Sequence, residues 1–249
     1  MKLLTHILFD FFGTLVAYSE SRVEQGYPQS YKLLVENGSA FTYQTFLNKW
    51  DELFDEFEHR STLSCIEFSM TELCESFLRQ SLKVVPDPAL VTSFRDTYLD
   101  EWSRSVTYIS GVNEMLDDLS ADYTLVLVSN THHAKLVRDH LRNSGMERYF
   151  DYVITSVEHG RRKPSRSIFE HALHSSNGQK ESALFVGDSY VLDYQGSLNA
   201  GIPSLLIDPA KHHNVPNSQR LKGILDLQSS MLLANKTHAA DGMGVRGNP

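Results

Sequence analysis

The sequence predicts an α/β protein with a doubly wound, Rossmann-like parallel sheet and an inserted block of helices. Three observations lead there. Short apolar runs recur in the second half of the chain and mostly stop at polar residues. They are residues 124–128 before Ser129, 152–155, 183–186 before Gly187-Asp188, and 204–207 before Asp208-Pro209. Segments of helical length, about 133–144 and 165–175, lie among them, and strands alternating with helices pair in parallel. One more apolar run, residues 3–9, ends at Asp10 with Gly13 close behind, ahead of a long region of different periodicity.

That first run reads as a buried strand delivering a carboxylate at its C-terminal end. The region after it, about 21–104, is helical. Phe46, Leu47, Trp50, Leu53, Phe54 and Phe57 recur at spacings of three and four, the signature of one helix face. Met70, Leu73, Cys74, Phe77 and Leu78 repeat the pattern, as do Val91, Phe94, Tyr98 and Trp102. Pro86 and Pro88 separate the last two helices. Trp50, Phe54, Phe57, Phe77 and Trp102 are expected in the core of this block. The division that follows is residues 1–17 and 106–234 for the sheet domain, 18–105 for the helical domain and 235–249 for a flexible, glycine-rich tail. The tail contains Gly242-Met-Gly244-Val-Arg-Gly247. No strand precedes it and no helix follows, so it is rejected as a dinucleotide fingerprint.

The chain has 249 residues, with 23 Lys+Arg against 31 Asp+Glu and a formal charge of −8. A net-acidic protein gains nothing from general attraction to nucleic acid or anionic lipid, so an anion would need locally placed donors. No apolar run approaches the ~20 residues of a membrane span. Cys65 and Cys74 are too few for a disulfide framework and read as buried thiols. A cytoplasmic location is expected. Neither nucleic acid nor membrane is an expected partner, and oligomeric state stays open.

Polar residues beyond strand ends are where open α/β sheets place ligands. Four motifs fall there: Asp10-Phe-Phe-Gly-Thr-Leu-Val16, Ser129-Asn130-Thr131, Arg162-Lys163-Pro164, and Gly187-Asp188-Ser-Tyr-Val-Leu-Asp193 running on to Gly201. In this order, with a helical block between the first two, the chain from about Lys2 to Pro209 resembles the haloacid dehalogenase-like hydrolase superfamily.

The resemblance implies Asp10 as the nucleophile of a phosphatase acting on a small phosphorylated metabolite through an aspartyl-phosphate. It implies Mg²⁺ held by Asp10, Asp188, the carbonyl of Phe12 and, directly or through a partner, Asp193. Lys163 would set a positive charge against phosphate and Asp10. The Ser129 hydroxyl and the Asn130 amide would donate to the transferring group. Thr14 would orient Asp10, and Phe11, Phe12 and Gly13 would line the phosphate site, with Gly13 allowing a tight turn. Each residue also has a plainer reading. Asp10 could be a turn residue, Asp188 and Ser129 helix caps, and Asp193 a dipole partner. Lys163 could be a solvated loop charge, and His132 and His133 surface residues. His212 and His213 carry no assignment.

One position departs from the family's phosphatases. Where they carry an acid–base aspartate two residues after the nucleophile, this chain has Phe12. Another residue could supply the proton, His132 or His133 beside Ser129 or else Tyr18 and Glu20 on the cap hinge, or the leaving group could need none. An aromatic residue at this position also suits a metal-free 2-haloacid dehalogenase. Such enzymes lack the Gly-Asp pair, and here only Arg22 and Arg60 lie in the first cap helices. A third reading is a chain that binds a phosphorylated ligand without turning it over.

Overall fold

In the computed structural model, which describes residues 3–18 and 26–231, the chain starts in the middle of its sheet. The elements in order are β1 (His6–Phe9), β2 (Val16–Ala17), α1 (Pro28–Glu36), α2 (Tyr43–Ser64), α3 (Met70–Leu82), α4 (Pro88–Ser103) and β3 (Thr107–Tyr108). Then come α5 (Val112–Ser120), β4 (Thr124–Ser129), α6 (Ala134–Ser144), β5 (Tyr152–Thr155), α7 (Ser156–His159) and α8 (Arg166–Ser175). The last elements are β6 (Ala183–Gly187), a π-helical turn (Tyr190–Gln195), α9 (Gly196–Asn199), β7 (Ser204–Ile207) and β8 (Arg220–Leu221). Glu20, Arg22 and the expected tail at 235–249, with its glycine motif, lie outside the described residues. No helix among the described residues is long and apolar enough to cross a membrane.

The main sheet has the order β5-β4-β1-β6-β7-β8, and every pairing in it is parallel. Side chains alternate between its faces. Ile7 and Phe9 join Val112, Met115, Leu116, Val137 and Leu141 of α5 and α6 on one side. Leu8, Val126 and Phe185 meet Ile168, Phe169 and Leu173 of α8 on the other. Both faces are covered, as a doubly wound sheet requires. From β1 the sheet grows toward β4 on one edge and β6 on the other, so the chain's direction of travel switches there. The crevice beyond the carboxyl ends of β1, β4 and β6 is the site this topology provides.

The helical unit has its own core, in which Phe46, Trp50, Leu73, Phe77, Phe94 and Tyr98 are buried together. Its helices start where the local chemistry says they should. Thr42 caps α2 by accepting from the Thr45 amide, and Ser69 and Glu72 form a reciprocal capping box at α3. Asp87 caps α4, with Pro88 at its first turn. The chain enters and leaves this unit side by side, because β2 and β3 pair antiparallel through Val16 with Tyr108 and Ala17 with Thr107.

Some local expectations are corrected. The first strand begins at His6, and Leu3 is 84% exposed. Helix α6 starts at Ala134 with His133 as its cap, so Ser129 caps nothing. The π-helical turn is capped by Ser189 rather than Asp188. Phe54 and Trp102 pack against the helical core only half-buried, and they also face a cleft. Cys74 is buried but Cys65 only partly so, and both are free thiols.

Candidate active site

Asp10 follows β1 directly, and its amide continues the ladder by donating to the Val186 carbonyl (2.9 Å). The sheet therefore fixes its backbone. Its side chain is fixed twice more. Oδ1 accepts from Lys163 Nζ at 2.5 Å and Oδ2 from Thr14 Oγ1 at 3.1 Å. Lys163, 2% exposed, reaches across from the loop after α7 and also donates to Asp193 Oδ1 at 2.7 Å. Burial works against its charge, but Asp10 and Asp193 outweigh that and hold the ammonium above the usual lysine range.

Asp188 and Asp193 come from the end of β6 and the turn after it. Thr14 Oγ1 lies 3.4 Å from Asp188 Oδ1, and the Ser189 amide donates to Asp193 Oδ2 at 2.9 Å. Asp10, Asp188 and Asp193 each offer one oxygen within 4.8 Å of the others. Two glycines make room for this. Gly13 has φ +87°, and a Cβ there would stand 2.1 Å from Asp188 Oδ2. A Cβ on Gly187 would stand 2.4 Å from Asp193 Oδ2. Neither contact is possible, so these positions accept no side chain without moving a carboxylate.

Three carboxylates around one ammonium leave an excess of negative charge. Burial, with Asp10 and Asp193 adding to it, pushes the Asp188 carboxyl up to about 7. Burial likewise raises Asp193 to about 6, against the pull of Lys163. An all-oxygen, anionic donor set of this kind fits a hard divalent cation such as Mg²⁺. Asp10, Asp188 and Asp193 are the candidate side chains, since a carboxylate oxygen that accepts one hydrogen bond keeps a further lone pair.

The other expected residues are placed differently. The Asn130 side chain does not point its amide at a ligand. Its Nδ2 donates to the Lys163 carbonyl (3.1 Å) and its Oδ1 accepts from the Lys163 amide (2.8 Å). It clamps the lysine's backbone from both sides. Ser129 is fully buried, with its hydroxyl 3.4 Å from the Asn130 carbonyl, and it is not among the residues lining the cleft. The Phe11 side chain is in the hydrophobic core, away from any ligand. Its carbonyl accepts from Thr14, Leu15 and Val16, which builds the turn carrying Gly13.

A cleft of about 700 Å³ opens above these groups, between the sheet and the helical unit. That volume suits a small-molecule ligand. Phe12, Tyr18 and Trp102 form one wall, with Phe12 edge-on to Trp102 at 5.2 Å and to Tyr18 at 5.7 Å. Tyr190 and His213, stacked at 4.4 Å, form another. His213 thus earns a place the sequence did not signal, since only folding brings its loop beside the π-helical turn. His132 and His133 also face the cleft. His132 is no surface residue: it stacks on Phe68 at 3.9 Å and bonds Glu67 at 3.0 Å. Burial, with Arg95 acting the same way, holds His133 below the usual histidine range.

Known proteins resemble the chain in sequence and in fold. Over 158 residues the chain is 32% identical to haloacid dehalogenase-like hydrolase domain-containing protein 3 of Mus musculus, covering 57% of this chain and 62% of that protein. The match thus spans less than two thirds of the mouse relative's length. Over 122 residues it is 27% identical to a pyrimidine 5'-nucleotidase of Escherichia coli, covering 49% of this chain and 53% of that one. The crystal structure of a 2-haloacid dehalogenase from Pseudomonas syringae superposes with a TM-score of 0.71 at 19% identity, over 93% of this chain and 99% of that chain. At that identity the likeness speaks for the fold. The family model for haloacid dehalogenase-like hydrolases matches residues 34–207, and the chain belongs to that family.

Proposed function

We propose that the chain is a metal-dependent phosphohydrolase, with Asp10 as nucleophile and a small phosphorylated metabolite as substrate. The observation that supports it best is the convergence of Asp10, Asp188 and Asp193 around the buried ammonium of Lys163. A bound Mg²⁺, held among these carboxylates, would neutralise phosphate oxygens as Asp10 approaches. The chain's own groups do the rest. Thr14 and Lys163 hold the Asp10 carboxylate in one orientation, which lowers the entropic part of the barrier. An Asp10 oxygen attacks phosphorus as the bond to the leaving oxygen breaks. Water then cleaves the resulting acyl phosphate and restores the carboxylate. Lys163 stays charged throughout and offsets the negative charge of the transferring group. The helical unit acts as the cap that shields these steps from solvent.

The direct test is p-nitrophenyl phosphate hydrolysis with Mg²⁺, repeated with EDTA. Turnover that EDTA abolishes and Mg²⁺ restores is expected. Turnover indifferent to both would end the metal-dependent reading.

Phe12 shapes the substrate range. Its ring packs against Trp102, Tyr18 and His140, and it has no proton to give. His140 cannot substitute, because its two ring nitrogens bond Tyr108 and Ser103. Esters with acidic leaving groups should therefore be turned over far faster than alkyl phosphates. Phe12→Asp is expected to raise alkyl phosphate turnover relative to p-nitrophenyl phosphate by about 10²–10⁴-fold, the usual contribution of a general acid. An unchanged ratio would show that the proton already comes from elsewhere.

The second reading, a metal-free 2-haloacid dehalogenase, draws on the same aromatic residue beside Asp10. Among the described residues its requirement for a cationic pocket is poorly met. Arg60 stacks over Phe57 and is not among the cleft residues. Arg162 does line the cleft but is held by Glu58 through two hydrogen bonds. Halide release from 2-chloropropionate decides the matter.

A further inference from the structure

One short segment of the helical unit, residues 65–70, touches both core loops that carry the site. Toward the Lys163 loop it forms an antiparallel bridge between Ile66 and Arg161. The Glu67 amide donates to the Gly160 carbonyl (3.2 Å), and the Arg162 amide donates to the Cys65 carbonyl (3.1 Å). This pairing ends one residue before Lys163. Toward the Asn130 loop, the Met70 amide donates to the His132 carbonyl at 2.8 Å.

Glu67 joins the two grips. Its side chain, with no exposed surface, accepts from Ser156 Oγ at 2.6 Å and bonds His132 Nδ1 at 3.0 Å. Ser156 Oγ in turn accepts from the Thr131 amide at 2.9 Å. Arg162 Nε lies 3.7 Å from Glu67, and its two terminal nitrogens bond Glu58 of α2 at 2.9 and 2.7 Å. Burial opposes the charge on Glu67, but His132, Arg162 and Ser156 together hold its carboxyl below the usual range.

We propose that residues 65–70 are a closing latch keyed by Glu67, a positioning residue that sets the Lys163 and Asn130 loops as the helical unit shuts over the cleft. The inference rests on the reaction proposed above, since it assigns a part within that site. The composition of the seam supports it. Apart from the stack of Phe68 on His132, its contacts are backbone hydrogen bonds and ion pairs, which water replaces when they part, so they hold geometry without adding much net stability. A wholly apolar seam would resist opening. The adjacency is the second support. Arg162 is gripped by the helical unit and Lys163 by Asp10 and Asp193, while Asn130 brackets the Lys163 backbone. A shift at the latch therefore reaches the ammonium through one peptide unit.

Two experiments on the full chain test this. Ile66→Cys with Arg161→Cys, in a Cys65→Ser background, places cysteines at bridge partners where a disulfide is sterically allowed. Oxidation is expected to lower p-nitrophenyl phosphate turnover at least ~10-fold relative to the reduced form, with recovery in dithiothreitol, because a locked seam hinders entry and release. Turnover indifferent to the crosslink, or failure of the pair to crosslink, overturns the latch.

In the second experiment, Glu67→Ala is expected to lower kcat by about 10²-fold, as small displacements of catalytic groups do, with Glu67→Gln falling less. Hydrogen exchange should accelerate at 65–70 and 160–163 while β1 and β4 stay protected. Unchanged kcat, or acceleration spread across the whole sheet, overturns the positioning role. Should the unmodified chain turn over no phosphate ester, the reaction fails and exchange in Glu67→Ala alone decides the latch.

Discussion

Asp10→Asn is expected to lower kcat by about 10⁴-fold or more, because the reaction loses its nucleophile and not merely an assisting group. The fold should survive. The asparagine retains a carbonyl oxygen for Lys163 or Thr14, the backbone bond to Val186 is untouched, and Lys163 keeps Asp193. Binding of inorganic phosphate should be retained or tightened. A carboxylate facing a phosphate at about 4 Å repels it by roughly 4 kcal/mol at an effective dielectric of 20, and the substitution removes that repulsion. Steady-state kinetics and phosphate titration by calorimetry separate the outcomes. Phosphate binding in a wild-type chain that turns nothing over would favour a ligand-binding protein over an enzyme.

Lys163→Met is expected to lose turnover by at least ~10³-fold and to destabilise the chain by about 3–5 kcal/mol, the usual result of removing one partner from a buried ion pair. The methionine fills the same volume, so the loss would report charge rather than a cavity. A pH signature follows. Asp188 and Asp193 have folded values raised to about 7 and about 6, above their ordinary 3.8. The folded state therefore binds more protons than the unfolded state between about pH 4 and 7. Metal-free protein loses stability as pH rises through that window and regains it on acidification. Lys163 has the same sign in a higher pH window. Its raised value adds stability that is present below the ordinary lysine pKa and is lost only at still higher pH. Removing the ammonium takes away the group that lowers both carboxyls, so the variant's melting temperature should fall more steeply than the wild type's from pH 5 to pH 8 in EDTA. Parallel profiles for the two proteins would refute this account of the charge balance.

The latch and the charge cluster differ in how visible they were beforehand. Asp10 and Asp188 were legible because each directly follows a strand, and hydrophobic patterning locates strand ends; Lys163 and Asp193 were reached through the order of motifs that resembles the family. The same patterning found α2, α3 and α4, whose apolar faces repeat over several turns. It missed α5, only nine residues long, and the two-residue strands β2 and β3, which are too short to show a period. Glu67 carried no signal at all. It lies between two helices, flanked by Ile66 and Phe68, and its burial exists only because the helical unit meets the core.

The alternation of apolar and polar residues determined the layered sheet, the inserted helices and the side of the sheet where ligands bind, since these depend on local periodicity and chain order. Whether a given side chain faces a ligand was decided only in three dimensions. Asn130 turned its amide onto Lys163, Ser129 sank beneath the cleft, and His132 and His213 came to line it. Those outcomes are set by contacts between residues far apart in the chain, and no nearest-neighbour pattern encodes them.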